Sequence, residues 1–213
     1  VEWINKSMAA GKPWVVACDE PGDASHALVP DKDDPTHDNA RRNGLWGCLI
    51  GGGAGNEWYF GYQHDHSDLT CEDFRSRDLW WDQCRIALNY FKDRDIPFWH
   101  MESNDDMVSG ARSWCLAQEA GKVLVYAPEG GKVTVDLSGW PETLHTVQWF
   151  DPRTAESSVG KAVQGGGKTE LNPPPPFDSE FVAYIFVAED DTPPTAPTEL
   201  GLQALGEREI KVT

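Results

Sequence analysis

The first strand-like segment of the chain reads Pro13-Trp14-Val15-Val16-Ala17-Cys18, and Asp19-Glu20-Pro21-Gly22 follows it directly. A short continuous apolar run is typical of a strand buried on both faces of a parallel sheet. In α/β barrels, catalytic side chains lie where a buried strand passes into its loop. The segment therefore predicts an α/β fold with carboxylates, Asp19 and Glu20, at a strand end.

The neighbouring segments continue an alternation of strands and helices. Residues 1–10 predict a helix that ends at Gly11, and residues 40–50 predict a second that ends at Gly51-Gly52-Gly53. A strand over 56–62 and a long helix over 72–92 follow. The apolar stripe of that last helix is Phe74, Trp81, Cys84, Leu88 and Phe91. This order predicts parallel βαβ units, and because two strands with their helices cannot close a sheet, we expect further elements of the sheet upstream.

The second half changes to short strand-like runs separated by turn signals, which favours an antiparallel β-sandwich. These runs are residues 114–117, 122–127, 132–137, 147–150 and 181–187. A four-proline stretch, Pro173 to Pro176, predicts a stiff extended crossing. Residues 190–198 are typical of a linker, and residues 200–213 of a domain cut off near its start.

Composition restricts the class of partner. The 213 residues include 18 Lys+Arg, 35 Asp+Glu and ten Trp, with a net charge of -17. So acidic a chain is a poor match for nucleic acid, whose phosphates require clustered basic residues. We expect no membrane insertion, because no apolar run approaches the ~20 residues that cross a bilayer. Five cysteines at irregular spacings indicate small buried side chains, and their pairing stays open.

The candidate site residues come from both strand ends. Glu20 could be a glycosidase nucleophile, although an acidic pair after a strand is more often a solvated loop or cap. Trp58 and Tyr62 could stack on a sugar ring, although aromatic residues in strands usually pack in a core. His64, in Gln63-His64-Asp65-His66, could contact a substrate.

Neither metal nor phosphate chemistry is expected. The His-Asp run lacks a distant ligand at a defined spacing, so we expect no metal site. Gly165-Gly166-Gly167-Lys168-Thr169 lacks the spacing of a phosphate loop and predicts a flexible hairpin.

Several motifs in one order carry a family resemblance over roughly residues 1–188. They are Lys12-Pro13-Trp14-Val15-Val16, Asp19-Glu20-Pro21-Gly22, Asn39-Ala40-Arg41, Leu45-Trp46-Gly47, Gly52-Gly53-Ala54-Gly55, Glu57-Trp58-Tyr59-Phe60-Gly61-Tyr62, Glu72-Asp73-Phe74-Arg75-Ser76-Arg77-Asp78 and Trp149-Phe150-Asp151-Pro152-Arg153. Together they resemble the carboxy-terminal part of a bacterial family that joins an apiosidase-like glycoside hydrolase barrel to a β-sandwich named as the collagen-binding domain of a collagenase. Residues 194–213 are similar to the opening of a fibronectin type III domain.

The resemblance implies a retaining mechanism. Residues 15–18 would be barrel strand seven, residues 57–62 strand eight, and residues 72–92 the closing helix. Glu20 would be the nucleophile, in the Glu-x-Gly context of such enzymes, and Asp19 stands where the family often has a smaller or hydroxylated residue. The acid/base carboxylate would lie at the end of strand four, outside this chain, so the chain alone should be inactive.

The resulting prediction is an α/β plus all-β chain, the C-terminal fragment of a (β/α)8 barrel followed by a small antiparallel β-sandwich. Its domains are a barrel part at 1–110, the sandwich at 111–189, and a linker with a truncated fibronectin type III-like start at 190–213. Glu20 is the catalytic residue, and Asp19, Trp58, Tyr62 and His64 bind a polysaccharide or oligosaccharide. No cofactor is expected, the missing barrel residues come from the same polypeptide, and the resemblance implies a secreted or periplasmic protein. The alternative is a non-catalytic sandwich that binds carbohydrate or matrix protein on an inactive barrel remnant.

Overall fold

The computed structural model describes residues 1–11, 14–22, 25, 27–63, 66–67, 73–119, 121–187, 202–206 and 209–212. Helices and two short paired segments make up the first half, and two antiparallel β-sheets make up most of the second. In this part of the chain no helix combines the length and the apolar character needed to cross a bilayer.

Three helices of at least two turns are described in the first half. Helix α1 spans Glu2–Ala9. Helix α2 begins with wider π-type turns over Ala40–Trp46 and continues as an α-helix over Gly47–Ile50. Helix α3 spans Asp78–Asp93 after a 3-10 turn at Phe74–Arg77. The helix predicted over 72–92 therefore starts its α-helical part later, where the Asp73 side chain accepts from the Arg75 N–H and caps the preceding turn.

The first paired segment (residues 14–18) and the second paired segment (residues 54–57) lie parallel. The Ala54 N–H donates to the Val16 carbonyl at 2.8 Å, the Cys18 N–H to the Gly55 carbonyl at 3.0 Å, and the Glu57 N–H to the Cys18 carbonyl at 2.9 Å. Cys18 and Asn56 are bridge partners. These backbone hydrogen bonds run from each segment to the other, which is the pattern of a parallel β-ladder.

Burial of the first paired segment differs from the prediction. Trp14 and Val15 are 71% and 85% exposed, so the segment is not buried on both faces. It has one partner segment within the described residues, and none of the described elements covers these two side chains. Trp3 and Met8 of α1 are also exposed.

Helix α3 presents a different face from the predicted stripe. Its buried residues are Trp80, Gln83, Ala87 and Tyr90. Phe74 and Leu88 are 61% and 69% exposed, whereas Trp81, Cys84 and Phe91 are half-buried at the border of the core. The cause is tertiary, because Tyr90 packs on Phe150 of the second half at 4.3 Å and Trp80 packs on Trp58 at 4.4 Å, and these contacts select the face.

The second half is a sandwich of two sheets. The larger has the order β1-β3-β4-β10-β6-β7, with β8 also paired to β6, and the smaller has the order β2-β5-β9, all pairs being antiparallel. The strands are β1 Glu102–Ser103, β2 Val108–Gly110, β3 Trp114–Gln118, β4 Lys122–Ala127, β5 Val133–Asp136, β6 Leu144–Phe150, β7 Ser157–Val159, β8 Val163–Gln164, β9 Lys168–Leu171 and β10 Phe181–Phe186. A separate hairpin pairs β11 Leu202–Gly206 with β12 Glu209–Val212.

The antiparallel sandwich that the sequence predicts is confirmed. The five predicted runs correspond to β3, β4, β5, β6 and β10. The sheets also include β1 and β2, which lie ahead of the predicted boundary at 111 and are separated by a 3-10 turn at Asp105–Met107, and the short polar strands β7, β8 and β9. Lys168 and Thr169, predicted as hairpin loop, belong to β9, and only the glycines before them form the turn.

The larger sheet is buried on both faces. Along β4, Leu124 and Tyr126 face a core shared with α2 and α3, whereas Val123, Val125 and Ala127 face the smaller sheet. Trp46 of α2 lies at the centre of the shared core, with its ring 5.8 Å from Tyr126 and 5.9 Å from Phe150. The helices therefore form a third layer on the sandwich.

A fully buried carboxylate joins these layers. Glu180, which is 0% exposed, accepts from Arg41 Nε at 3.1 Å, Arg41 Nη2 at 2.7 Å, Arg42 Nε at 3.0 Å and the Tyr126 hydroxyl at 2.9 Å. Burial alone would lower the pKa of Arg41, but its bonds to Glu180 and Asp38 outweigh burial and raise it. Burial and the charge of Glu180 raise the pKa of Tyr126.

Glu180→Gln should lower the free energy of unfolding by about 3–5 kcal/mol, because it leaves the Arg41 guanidinium buried without its main counter-charge. Urea unfolding of the 213-residue chain measures this. The matched control is Glu170→Gln, since Glu170 is exposed and pairs with Lys132 at 3.2 Å, and it should cost no more than about 1 kcal/mol. Equal effects of the two variants would contradict the role given to Glu180.

Candidate functional site

Carboxylates from both paired segments meet at the same end of the parallel pair. Cys18 and Asn56 are bridge partners, so the next residues, Asp19 and Glu57, lie side by side and point to the same face. The two carboxyl groups are hydrogen-bonded, and Glu20 lies close enough for its charge to act on Glu57. Asp19, Glu20 and Glu57 are all exposed.

The Glu57 carboxyl has a raised pKa. The hydrogen bond to Asp19 is the largest cause, followed by the negative charge of Asp19, desolvation and the charge of Glu20. A carboxyl next to another carboxylate is easier to protonate because two adjacent negative charges repel. Sequence patterns do not identify Glu57 as a site residue, because the signal that identifies it is the register of the two segments.

Glu20 has a left-handed backbone conformation, with φ 45°. This region is uncommon for residues with a Cβ atom, and such residues cluster at functional sites. The turn closes at Gly22, with φ +117°, where a Cβ atom would lie 2.8 Å from the Ala27 Cα. The Glu-Pro-Gly sequence thus holds the Glu20 carboxylate in a sharp turn at the segment end.

Trp58 directly follows the second paired segment, and its side chain points away from the face on which Glu57 lies. Its ring is edge-on to Trp80 of α3 at 4.4 Å, and a Cβ atom at Gly44 of α2 would lie 3.0 Å from the Trp58 ring. Trp58 thus packs into the helix layer and contributes to the wall of a cavity of about 300 Å³. Other residues lining this cavity are Cys18, Gly22, Leu28, His37 and Asn43. The predicted contact of Trp58 with a sugar stays a prediction.

Tyr62 is 50% exposed and connects the loops that follow the two segments. Its hydroxyl accepts from Ser25 Oγ at 3.4 Å, and its N–H donates to the Ser25 carbonyl at 3.3 Å. The ring is therefore available to a ligand from solvent. His64 lies outside the described residues.

A buried histidine fixes the loop beside the cavity. His37 Nε2 lies 2.7 Å from Asp31 Oδ1, and Asp31 Oδ2 accepts from the Leu79 N–H at 2.9 Å near the start of α3. Asp34 Oδ1 accepts from the His37 N–H at 2.9 Å. Burial alone would raise the pKa of Asp34, but the hydrogen bonds from Thr36 and His37 outweigh burial and lower it. These contacts are structural, and they hold the start of α2 against α3.

The chemistry available at this end of the segments is that of carboxyl groups. It offers one ionisable pair, Asp19 and Glu57, and a third carboxylate, Glu20, held in a turn. Such groups can attack, accept or donate a proton, or bind hydroxyl groups. Within the described residues, His, Cys, Asp and Glu side chains form no group of three or more that could hold a metal ion.

Trp58→Ala should lower the free energy of unfolding by about 3 kcal/mol, because it removes a large side chain from between α2 and α3. Tyr62→Ala is the control and should change it by no more than about 0.5 kcal/mol, since half of the ring is exposed. Urea unfolding of both variants tests the assignment. A Trp58→Ala variant as stable as the wild type would show that Trp58 does not support the helix layer.

Comparison with protein-family models finds a match in the second half. The family described as "Putative collagen-binding domain of a collagenase" matches residues 104–182, which include most of both sheets. No curated protein matches the chain.

Two solved structures are similar over more of the chain. One, titled "Glycoside hydrolase", covers 89% of this chain and 46% of its own, with 13% identity and a TM-score of 0.64. A glycoside hydrolase family 5 structure from Bacteroides vulgatus ATCC 8482 covers 72% of this chain and 37% of its own, with 12% identity and a TM-score of 0.55. This chain thus spans less than half of either structure. In fold, it is similar to parts of glycoside hydrolase structures, and its sandwich matches the collagen-binding family model.

Proposed function

We propose that this chain is part of a retaining glycoside hydrolase that cleaves a polysaccharide or oligosaccharide. The observation that carries the proposal is the meeting of Asp19, Glu20 and Glu57 at one end of two parallel segments. In α/β barrels the carboxyl ends of the parallel strands form the active site. The fold match supports the same conclusion, because 89% coverage must include the helical half as well as the sandwich.

Glu20 is the proposed nucleophile. It attacks the anomeric carbon as the bond to the leaving oxygen breaks, and a second carboxylic acid, contributed by residues outside this chain, protonates that oxygen. The same group then deprotonates the water that releases the sugar from Glu20. Asp19, Tyr62, Trp58 and His64 are the proposed sugar contacts, and the reaction requires no cofactor.

Exposed apolar surface supports the proposal that further barrel elements of the same polypeptide cover both edges of the helical half. At one edge lie Trp14 and Val15. At the other, α3 borders a cavity of about 390 Å³ lined by Leu88, Phe98 and Trp99, all at least half exposed. Large exposed apolar patches mark surfaces that pack against other protein. A secreted or periplasmic location and a fibronectin type III-like start after residue 190 belong to the same proposal.

The test is Glu20→Gln in the complete protein. The variant should lose turnover by on the order of 10³-fold or more, because the amide cannot form the covalent intermediate. Release of reducing sugar from a panel of polysaccharides measures turnover, and proton NMR of the first product should show retained anomeric configuration. Asp82→Asn, on the exposed face of α3, is the control. Near-normal turnover of Glu20→Gln, with fold and substrate binding unchanged, would refute the nucleophile.

A second candidate function is binding by the sandwich, which the family match at residues 104–182 favours. A groove of about 720 Å³ crosses this half, and its acidic lining residues are Glu102, Asp106, Glu119 and Asp136. Trp140 also lines it. The sandwich should be tested within the whole chain, since removing the helices would expose the face of the larger sheet that includes Tyr126 and Tyr184.

If the groove binds collagen or an insoluble polysaccharide, the chain should be retained on that matrix. The double variant Asp106→Asn with Glu119→Gln should weaken retention, because it removes two charges from the groove. A double variant on the exposed face of α3, Asp82→Asn with Asp93→Asn, is the matched control. Absence of retention on every matrix would leave the sandwich with a packing role only.

A further inference from the structure

Two cysteines meet at one carbonyl oxygen of the second paired segment. The Cys18 N–H donates to the Gly55 carbonyl at 3.0 Å, and the Cys48 thiol of α2 donates to the same oxygen at 3.4 Å. Both cysteines are half-buried, and both are free thiols in the structure. One oxygen atom therefore holds the backbone of the first cysteine and the sulfur of the second.

The side chain of Cys18 lies on the face that α2 covers. Cys18 and Asn56 are bridge partners, so their side chains share one face of the parallel pair. Trp58, two residues after Asn56, lies on the same face and packs on Gly44 of α2, where a Cβ atom would lie 3.0 Å from the Trp58 ring. Cys18 also lines the same cavity as Trp58 and Gly44. Cys18 therefore faces the helix that contains Cys48.

Helix α2 presents Cys48 to that face. Cys48 follows Gly44 by four residues, and positions four apart in a helix lie one above the other. A Cβ atom at Gly53 would clash with the Cys48 sulfur, so this glycine leaves the room that the sulfur occupies beside the paired segments. Burial is the largest influence on the Cys48 thiol and raises its pKa, and the N–H and the thiol of Cys18 also act on it.

We propose that Cys18 and Cys48 are an oxidisable pair that forms a disulfide bond between the first paired segment and α2. The bond forms by exchange with a small disulfide such as oxidised glutathione. The Cys18 thiolate attacks one glutathione sulfur and releases the other glutathione. The Cys48 thiolate then attacks the Cys18 sulfur and releases the second glutathione. Two protein thiols are oxidised to one disulfide, and their protons end on the two reduced glutathione thiols.

The order of the two attacks follows from the surroundings of each thiol. Cys18 lines the cavity, which gives a small disulfide access to it. The raised pKa of Cys48 keeps its thiol protonated, and a protonated thiol is a poor first nucleophile. The bond would tie the residue directly before Asp19 and Glu20 to the helix that Glu180 holds against the larger sheet. It does not rest on the proposed function, because it can be detected in a chain without activity.

Peptide mapping of the 213-residue chain tests the pairing. The chain is equilibrated with an excess of oxidised over reduced glutathione, its free thiols are blocked in urea, and it is digested without reduction by trypsin and a glutamate-specific protease. Glu57 lies between Cys48 and Cys71, so the second protease separates these two cysteines. We expect a linked peptide pair that contains Cys18 and Cys48 and is lost on reduction.

Two results of the mapping would overturn the proposal. One is recovery of Cys18 and Cys48 only as blocked thiols or as glutathione adducts. The other is linkage of either cysteine to Cys71, Cys84 or Cys115 in place of the linkage between them.

Thermal unfolding is the second measurement. Because the bond closes a loop of the unfolded chain, oxidised wild type should melt on the order of 10 °C above reduced wild type. Cys18→Ser and Cys48→Ser should each abolish this difference, whereas the control Cys84→Ser, on α3, should keep it. The readout compares two redox states of one variant, so a general loss of stability on substitution does not affect it. A difference that persists in Cys18→Ser, or equal melting of the two wild-type forms, would contradict the proposed bond.

Discussion

Burial of the Glu180 carboxylate is the constraint on which the arrangement of the layers depends. A fully buried charge must be paired with an opposite charge and hydrogen-bonded. The guanidinium groups of Arg41 and Arg42 in α2 provide both the opposite charge and the hydrogen-bond donors. Helix α2 is therefore held against the larger sheet. The turn at Gly51 to Gly53 then leads from α2 into the second paired segment, where the Ala54 N–H bonds to the Val16 carbonyl. The second paired segment thus follows directly from a helix whose start is fixed by this ion pair.

Much of the fold could be predicted from local patterns. The glycines after Ile50 end α2 where the sequence indicates, and the apolar runs of β4 and β10 are central strands of a sheet. The face of α3 could not be predicted, because both Trp80 and Trp81 are apolar, and Trp80 is fully buried through its packing on Trp58 and His37, which are distant in sequence. The exposure of Trp14 and Val15 could not be predicted either, since an apolar run does not report how many neighbours cover it.

The candidate site was predictable in part, for the same reason. Asp19 and Glu20 are recognisable because they follow a strand-like run, which is a local signal. Glu57 becomes a site residue only through the pairing of Cys18 with Asn56, and the pairing register of two segments nearly forty residues apart has no local sequence signal. The same register turns Trp58 towards α3. The residues next to Trp58 in sequence do not determine which of the two faces its side chain occupies.

The burial of the larger sheet on both faces also bears on how this chain can change over evolutionary time. A family boundary drawn near residue 104 separates two sequence patterns, but the core around Trp46 crosses it, with Tyr126 and Phe150 from one side and Tyr90 from the other. Exchange of the sandwich alone between relatives would place a new sheet face on an old helix layer. Functional recombinants should therefore inherit α2, α3 and the sandwich as one block, with crossovers in the loops outside it.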